Sequence, residues 1–418
     1  MQEQSSKHNR NPWLWIPTLY FVEGLPYFIV NTISVVMFKD LGMDNGTLAL
    51  LTSLISLPWV VKPLWSPFVD LIRTKRWWIV AMQLVMLAAV ALVAFSVRLT
   101  TFTVTLILFI VAAFASATHD IAADGFYMLA LDQRRQSAFV GIRSTFYRIA
   151  MVFGSGVLVV LAGILERRLG NVPAAWSYTM LLSAGLLALF SVYHLFILPR
   201  PAEDRSNATA SGILKGFGEA FASFFRKPGV WLAIAFMLLY RLPEALSVKM
   251  LFPFFKDGTE LGGLGFSTET YGLVYGSFGV IALLAGGILG GLAAARLGLR
   301  KCMWPMALAL ALPCSVYLYM SLAQPQNVWV VGSCVVLDQF GYGFGFSAYM
   351  LYMMHFSEGP LKTSHYAICT AFMALSMMLP GLVAGYLQQA LGYIGFFVLV
   401  MICCIATFFV TFFARRRL

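Results

Sequence analysis

Charge is what this chain has least of. Only 11% of its 418 residues are Asp, Glu, Lys or Arg, while 60% are hydrophobic. Soluble globular domains carry roughly 25% charged residues. So little charge cannot cover an exterior that faces water, so most of the surface must face lipid. That excludes soluble enzymes, disordered scaffolds and nucleic-acid binders. The six cysteines, Cys302, Cys314, Cys334, Cys369, Cys403 and Cys404, show no zinc spacing. Packing is their expected role, and no metal site is expected. No Gly-x-x-x-x-Gly-Lys phosphate loop occurs, which argues against an ATPase. The polar leader Met1–Asn11 runs into a stretch holding Glu23 and Pro26, a poor core for a cleavable signal peptide.

What the chain does have is long apolar runs. A helix crossing the hydrocarbon layer needs about 20 predominantly apolar residues. About twelve such runs occur, near 13–38, 47–70, 77–97, 102–130, 139–164, 175–198, 229–255, 269–295, 302–322, 327–354, 365–388 and 392–413. Their length favours helices over barrel strands, which alternate over about 10 residues. The expected fold is an all-α membrane protein. An even number of spans returns both termini to one face. Twenty basic residues gather on that face, from Lys7 and Arg10 to Arg415, Arg416 and Arg417, against five on the other: Lys39, Arg98, Arg167, Arg168 and Lys256. The positive-inside rule then places both termini in the cytoplasm. The net charge of +11 has a topological cause and calls for no nucleic acid.

The longest polar interval, 199–228, separates six spans from six. Its first part, Pro201 to Asn207, reads as a flexible linker. Its second part puts Ile213, Phe217, Phe221 and Phe224 on one helical face, beside Lys215, Arg226 and Lys227. That pattern suits an interfacial helix, or an ordinary connector. The domains are therefore 1–198, a cytoplasmic linker 199–228, and 229–418. The halves echo one another. Leu25-Pro26 and Phe38-Lys39-Asp40 recur as Leu242-Pro243 and Phe255-Lys256-Asp257, both at an offset of 217. The loop after span two, Asp70-Leu71-Ile72-Arg73-Thr74-Lys75-Arg76, has a looser echo in Ala295 to Lys301. Two six-helix halves related about the membrane normal resemble the major facilitator superfamily. The resemblance makes Asp70, Arg73, Lys75 and Arg76 an inner gate, with Asp70 accepting hydrogen bonds or capping a helix end.

Ionisable side chains inside a bilayer are costly and mark function by default. Here they are Glu23, Lys62, Asp120, Asp124, Arg148, Arg241, Glu244, Lys249 and Asp338. The middles of spans three, six, nine and twelve hold none. In the superfamily those four spans face lipid, and spans one, four, seven and ten line a central cavity, which is the division the charges draw. Helical spacing extends the list. Tyr20, Glu23, Tyr27 and Asn31 share a face of span one. Ser116, Asp120, Asp124 and Tyr127 share one of span four. Tyr240 and Glu244 lie on span seven with Arg241 adjacent, and Asp338, Tyr342 and Tyr349 on span ten. Each tyrosine alone is more simply a packing residue, while the set suits a cavity for rings and amides. Glu23, Asp120, Asp124, Glu244 and Asp338 are the candidates for proton coupling. Tyr20, Tyr27, Asn31, Lys62, Tyr127, Arg148, Tyr240, Arg241, Tyr342 and Tyr349 are the candidates for substrate. An Asp124–Arg148 ion pair is expected, Lys249 is expected to snorkel outward, and His119 to pack.

Specific strings narrow the family. Tyr20 to Pro26 (YFVEGLP) and Lys62 to Asp70 (KPLWSPFVD) resemble the muropeptide permease type, known as AmpG. So do Ser116 to Asp124 (SATHDIAAD), Tyr147 to Met151 (YRIAM), Asp338 to Gly345 (DQFGYGFG) and Pro380 to Gly385 (PGLVAG). The resemblance implies a proton-driven importer of anhydromuropeptides in the bacterial inner membrane, monomeric and free of cofactors. Departures lie at Glu23, Tyr127 and Asp338. Siderophore importers and acetyl-CoA transporters share similar strings. Outside transport, Asp120-x-x-x-Asp124 would suit a Mg-dependent membrane prenyltransferase, but such a site needs a second acidic cluster. A signalling receptor on a transporter-like fold finds no effector domain in the sequence.

Overall fold

The computed structural model describes residues 10–99, 102–201, 204 and 210–418. Among them the fold is helical throughout. Spans one to six are Pro12–Asp40, Asn45–Val69, Lys75–Leu99, Phe102–Ala130, Arg134–Leu169 and Val172–Ile197. Spans seven to nine are Val230–Lys256, Thr268–Leu297 and Leu299–Ala323. Span ten is Val328–Ser357. Spans eleven and twelve form the run Lys362–Arg416, which turns at Gly392 (φ 65°, ψ 175°). A left-handed φ without a Cβ penalty lets the chain reverse there in a single residue.

The repeated Leu-Pro pair marks irregular backbone in both halves. A proline inside a helix removes one donor and crowds the preceding turn. In span one Pro26 precedes a wider turn, Ile29–Ile33. In span seven the helix stops at Leu239 and restarts at Leu242, with Pro243 in its first turn. Arg241 sits in that break (φ −103°, ψ 11°). The interruption turns Arg241 and Glu244 toward the centre of the molecule.

The two bundles meet along spans two and eleven and along spans five and eight. Small residues bring the backbones together. A methyl group at Gly385 would overlap the carbonyl of Asn45, and one at Gly276 the carbonyl of Ser155. On the face opposite the termini, here the distal face, the repeated Lys-Asp pairs exchange partners. Lys39 bonds Asp257 at 2.6 Å, and Lys256 bonds Asp40 at 2.9 Å. Asp40 also accepts from Thr268 Oγ1 (2.8 Å) and Trp176 Nε1 (3.1 Å), and Asp257 from Tyr393 (2.6 Å) and Asn45 (3.2 Å). Arg167 and Glu269 add a further bridge at 2.7 Å. The distal ends are thereby tied shut.

One linker residue is fixed against the first bundle. Asp204 is buried and accepts from the backbone N–H of Lys75 (2.6 Å) and Arg76 (3.0 Å). It neutralises the open N-terminus of span three, an arrangement favoured by both hydrogen bonding and the helix dipole. The linker helix forms over Ala210–Phe225. Its expected lipid-facing side is turned, at Phe224, onto protein: the ring is fully buried against Phe356, Phe372 and His365. Phe221 lines the central cavity. The side chains of Ile213, Lys215 and Phe217 lie outside the described residues, as does Asn207.

Removing the acid from Asp204 (Asp204→Ala) is expected to lower stability by about 1–2 kcal/mol, read as a lower melting temperature in detergent. An unchanged temperature would remove the capping role. Reversing one charge of the distal tie (Lys39→Asp) is expected to separate the distal ends. Distances between spin labels on the two bundles measure it. The double exchange, Lys39→Asp with Asp257→Lys, should restore the short distance, and failure to do so would show that the pair is incidental.

Candidate functional site

A cavity of about 900 Å³ lies between the bundles, within the ~300–1,000 Å³ typical of small-molecule pockets. Its lining comes from spans one, two, four, five, seven, eight, ten and eleven and from the linker helix, with only Lys75 added from the start of span three. Among the described residues spans six, nine and twelve contribute nothing. Spans six, nine and twelve, uncharged in their middles, stay peripheral, while spans eight and eleven, also uncharged there, join the wall.

Each bundle places one ion pair on the wall. From the first, Lys62 Nζ meets Asp120 Oδ2 at 2.7 Å. Beside it Tyr27 packs edge-on against Trp59 (centroids 5.0 Å) and lies near Tyr147 (6.5 Å). Asn31 accepts from Ser56 Oγ at 2.6 Å, which fixes the amide against the wall. From the second bundle, Arg241 Nε meets Glu244 at 3.0 Å, and its outer nitrogen donates to the Tyr342 hydroxyl. The guanidinium stacks over Phe346 (4.8 Å), Tyr342 (5.4 Å) and Tyr349 (5.6 Å). Tyr271 and Tyr275 stack with rings 5.1 Å apart and complete that side with Gln339. The arrangement offers flat apolar faces, hydroxyls and two compensated charge pairs, which suits a polar cargo with rings.

Toward the basic face, Asp124 also reaches the cavity, but its partner is Arg143 at 2.7 Å, not Arg148. Arg143 lies nearly three turns into the helix that begins at Gln133, and Arg148 about four. Arg143 is the one that lies over the rings of Tyr20 (4.6 Å) and Tyr127 (5.3 Å). Tyr20 donates to Asp124 at 3.3 Å, and Tyr127 donates to the carbonyl of Gln136. Arg148 is half-buried, pairs with no carboxylate among the described residues and stays off the cavity wall. Tyr20 and Tyr127 therefore support Arg143 rather than line the chamber.

Other expected members also fall elsewhere. Tyr240 donates to the carbonyl of Gly345 (3.0 Å) and Tyr349 to that of Met237 (2.8 Å), so both pack span seven against span ten. Asp338 occupies a small side pocket, bonded by Tyr317 (2.7 Å) and Gln339 (3.0 Å), that shares Glu244, Tyr275 and Tyr342 with the main cavity. Glu23 lies beside Asp120, buried, with Oε2 unbonded among the described residues. His119 and His194 flank the amide of Gln83 at 3.0 and 2.9 Å, a packing network. Lys249 does not snorkel: it is buried on the cavity wall. Of the gate residues, Lys75 reaches the cavity, Arg73 is exposed beside Trp77, and Arg76 donates to the carbonyl of Leu195. The side chain of Asp70 lies outside the described residues. At the start of span three, Asp204 accepts from the backbone N–H groups of Lys75 and Arg76. Trp59, Tyr147, Tyr271, Tyr275 and Gln339 were not among the expected residues, because charge was the guide and they carry none. Asp120 and Asp124, the alternative diphosphate site, are already engaged by Lys62 and Arg143.

The chain is 24% identical over 384 residues to the anhydromuropeptide permease of Escherichia coli K12, covering 91% of this chain and 74% of that one. It is 23% identical over 391 residues to a protein of Haemophilus influenzae with no described role, covering 90% and 88%. Its fold matches that of a solved nucleoside transporter, NupG, with a TM-score of 0.73 at 16% identity, covering 97% and 99%. A sequence model of the Major Facilitator Superfamily matches residues 18–360. With twelve helices in two bundles around a shared charged chamber, the chain is a membrane transporter, not an enzyme, and belongs to the Major Facilitator Superfamily.

Proposed function

We propose that this protein imports anhydromuropeptides, such as GlcNAc-anhydro-MurNAc and its peptides, across the bacterial inner membrane by proton-coupled alternating access. The observation that carries this reading is the chamber itself, walled by one ion pair and one aromatic cluster from each bundle and tied at the distal face. Relatives of similar sequence named as anhydromuropeptide permeases support the choice of cargo. The basic-residue bias supports cytoplasmic termini, so the chamber faces inward when the distal tie is closed. Sugar rings stack on flat aromatic faces, and their hydroxyls and acetamides pair with tyrosine hydroxyls, Asn31 and Gln339. A monomer suffices, because both walls come from one chain, and no cofactor is required.

Coupling follows from charge counting. Glu23, Asp120 and Asp124 cluster around two cations, Lys62 and Arg143. Three carboxyls facing two cations reach neutrality with one proton bound. Opening the cluster to one side and then the other moves that proton with the cargo, and ions inside a bilayer move most readily when neutral. Glu244 and Asp338 stand as a second acidic pair across the chamber, and Lys75 with Arg73 and Arg76 as the inner gate.

The test is uptake of GlcNAc-anhydro-MurNAc into proteoliposomes under an inward proton gradient. Accumulation above the external concentration is expected, and Asp120→Asn should abolish it while leaving equilibration intact. Normal accumulation by Asp120→Asn would remove that residue from the coupling group.

A further inference from the structure

Among the described residues four basic side chains reach the cavity: Lys62, Lys75, Arg241 and Lys249. Lys249 is one for which no carboxylate partner is seen among those residues. Lys62 bonds Asp120, and Arg241 bonds Glu244. Lys249 is only 8% exposed, and its Nζ donates to the backbone carbonyl of Thr52 at 3.2 Å. No carboxylate pairs with it among the described residues. An ammonium has three donors, so two remain. A buried charge without a partner is costly, and membrane-buried cations are normally paired. An anion brought in by the cargo would supply the missing partner.

Gly381 leaves room for the lysine stem: a Cβ there would lie 3.4 Å from Lys249 Cγ. Ser53 packs behind it, fully buried and off the cavity wall, so among the described residues Lys249 alone offers polar donors at this spot. One ammonium matches a singly charged carboxylate. A phosphate dianion draws arginine forks or several cations, and the spot holds neither.

We infer that Lys249 is the subsite for a carboxylate of the cargo. Lys249 lies five residues beyond Glu244 on span seven, about 7–8 Å along the helix toward the distal face. The carboxylate end of the cargo therefore points distally, and its rings lie between the two ion pairs. This reading rests on the proposed cargo, whose peptide-free disaccharide carries such a carboxylate on its lactyl group.

The test offers GlcNAc-anhydro-MurNAc and its carboxamide to the full chain in proteoliposomes. Wild type is expected to take up the acid with a KM about tenfold below that of the carboxamide. Lys249→Met should raise the KM for the acid to the carboxamide level, leave the carboxamide KM unchanged, and not lower the melting temperature of the empty protein. Lys249→Arg should keep the preference for the acid. Equal effects on both probes, or a fall in melting temperature in Lys249→Met, overturn the inference and make the residue structural. If wild type takes up neither probe, the cargo reading has failed. The subsite is then decided by thermal shift with N-acetylmuramate against its amide. Stabilisation by the acid alone, lost in Lys249→Met, supports it, and no difference between acid and amide overturns it.

Discussion

A charge held inside a bilayer must find an opposite charge, a hydrogen-bonding shell or water, and the interior of this molecule is arranged around that need. Lys62 finds Asp120, Arg143 finds Asp124, and Arg241 finds Glu244. Among the described residues Asp338 has no cation, and two hydrogen bonds from Tyr317 and Gln339 stand in for one. These contacts require the charged spans to face each other across a common space. Spans six, nine and twelve are then free to meet lipid. The two-bundle architecture is the packing that satisfies both demands at once.

The irregular backbone serves the same end. A regular span seven would carry Arg241 and Glu244 on a continuous spiral, with no gap for a guanidinium beside the axis. The break before Pro243 sets Arg241 in that gap, over three aromatic rings. Such rings hold a cation by their electron-rich faces and shield it from acyl chains. Span one carries its own irregularity, Pro26 and a wide turn over Ile29–Ile33, after Glu23. Sequence repetition, helix irregularity and charge placement are thus one feature seen at three levels.

Much of this was legible before any coordinates, because the costs involved are large. Long apolar runs allow only helices, and buried charges mark several of the lining spans, though not spans eight and eleven. Partner choice was less legible. Arg143 and Arg148 are both in the first half of span five, and the sequence offers no reason to prefer one. Arg143 is the partner of Asp124 because Tyr20 and Tyr127 flank it, a contact between three spans. Lys249 read as an outward-reaching residue because its depth along span seven was misjudged from run length alone. The uncharged wall, Trp59, Tyr147, Tyr271 and Tyr275, was invisible to a search keyed on ionisation. Tyr240 and Tyr349 misled in the opposite sense: their spacing suited a cavity, while their hydroxyls serve backbone carbonyls. Asp204 was hidden by its surroundings, since composition marks a linker but not the one residue in it that closes a helix end.

The exchanged bridges at the distal face have an implication for origin. Lys39 reaches the aspartate of the second repeat, and Lys256 reaches the aspartate of the first. Two copies of a single six-helix ancestor, set side by side about a twofold axis, would form that same contact twice from one Lys-Asp dipeptide. Fusion of the copies would inherit the fastening complete, with nothing new to evolve but the tether between them.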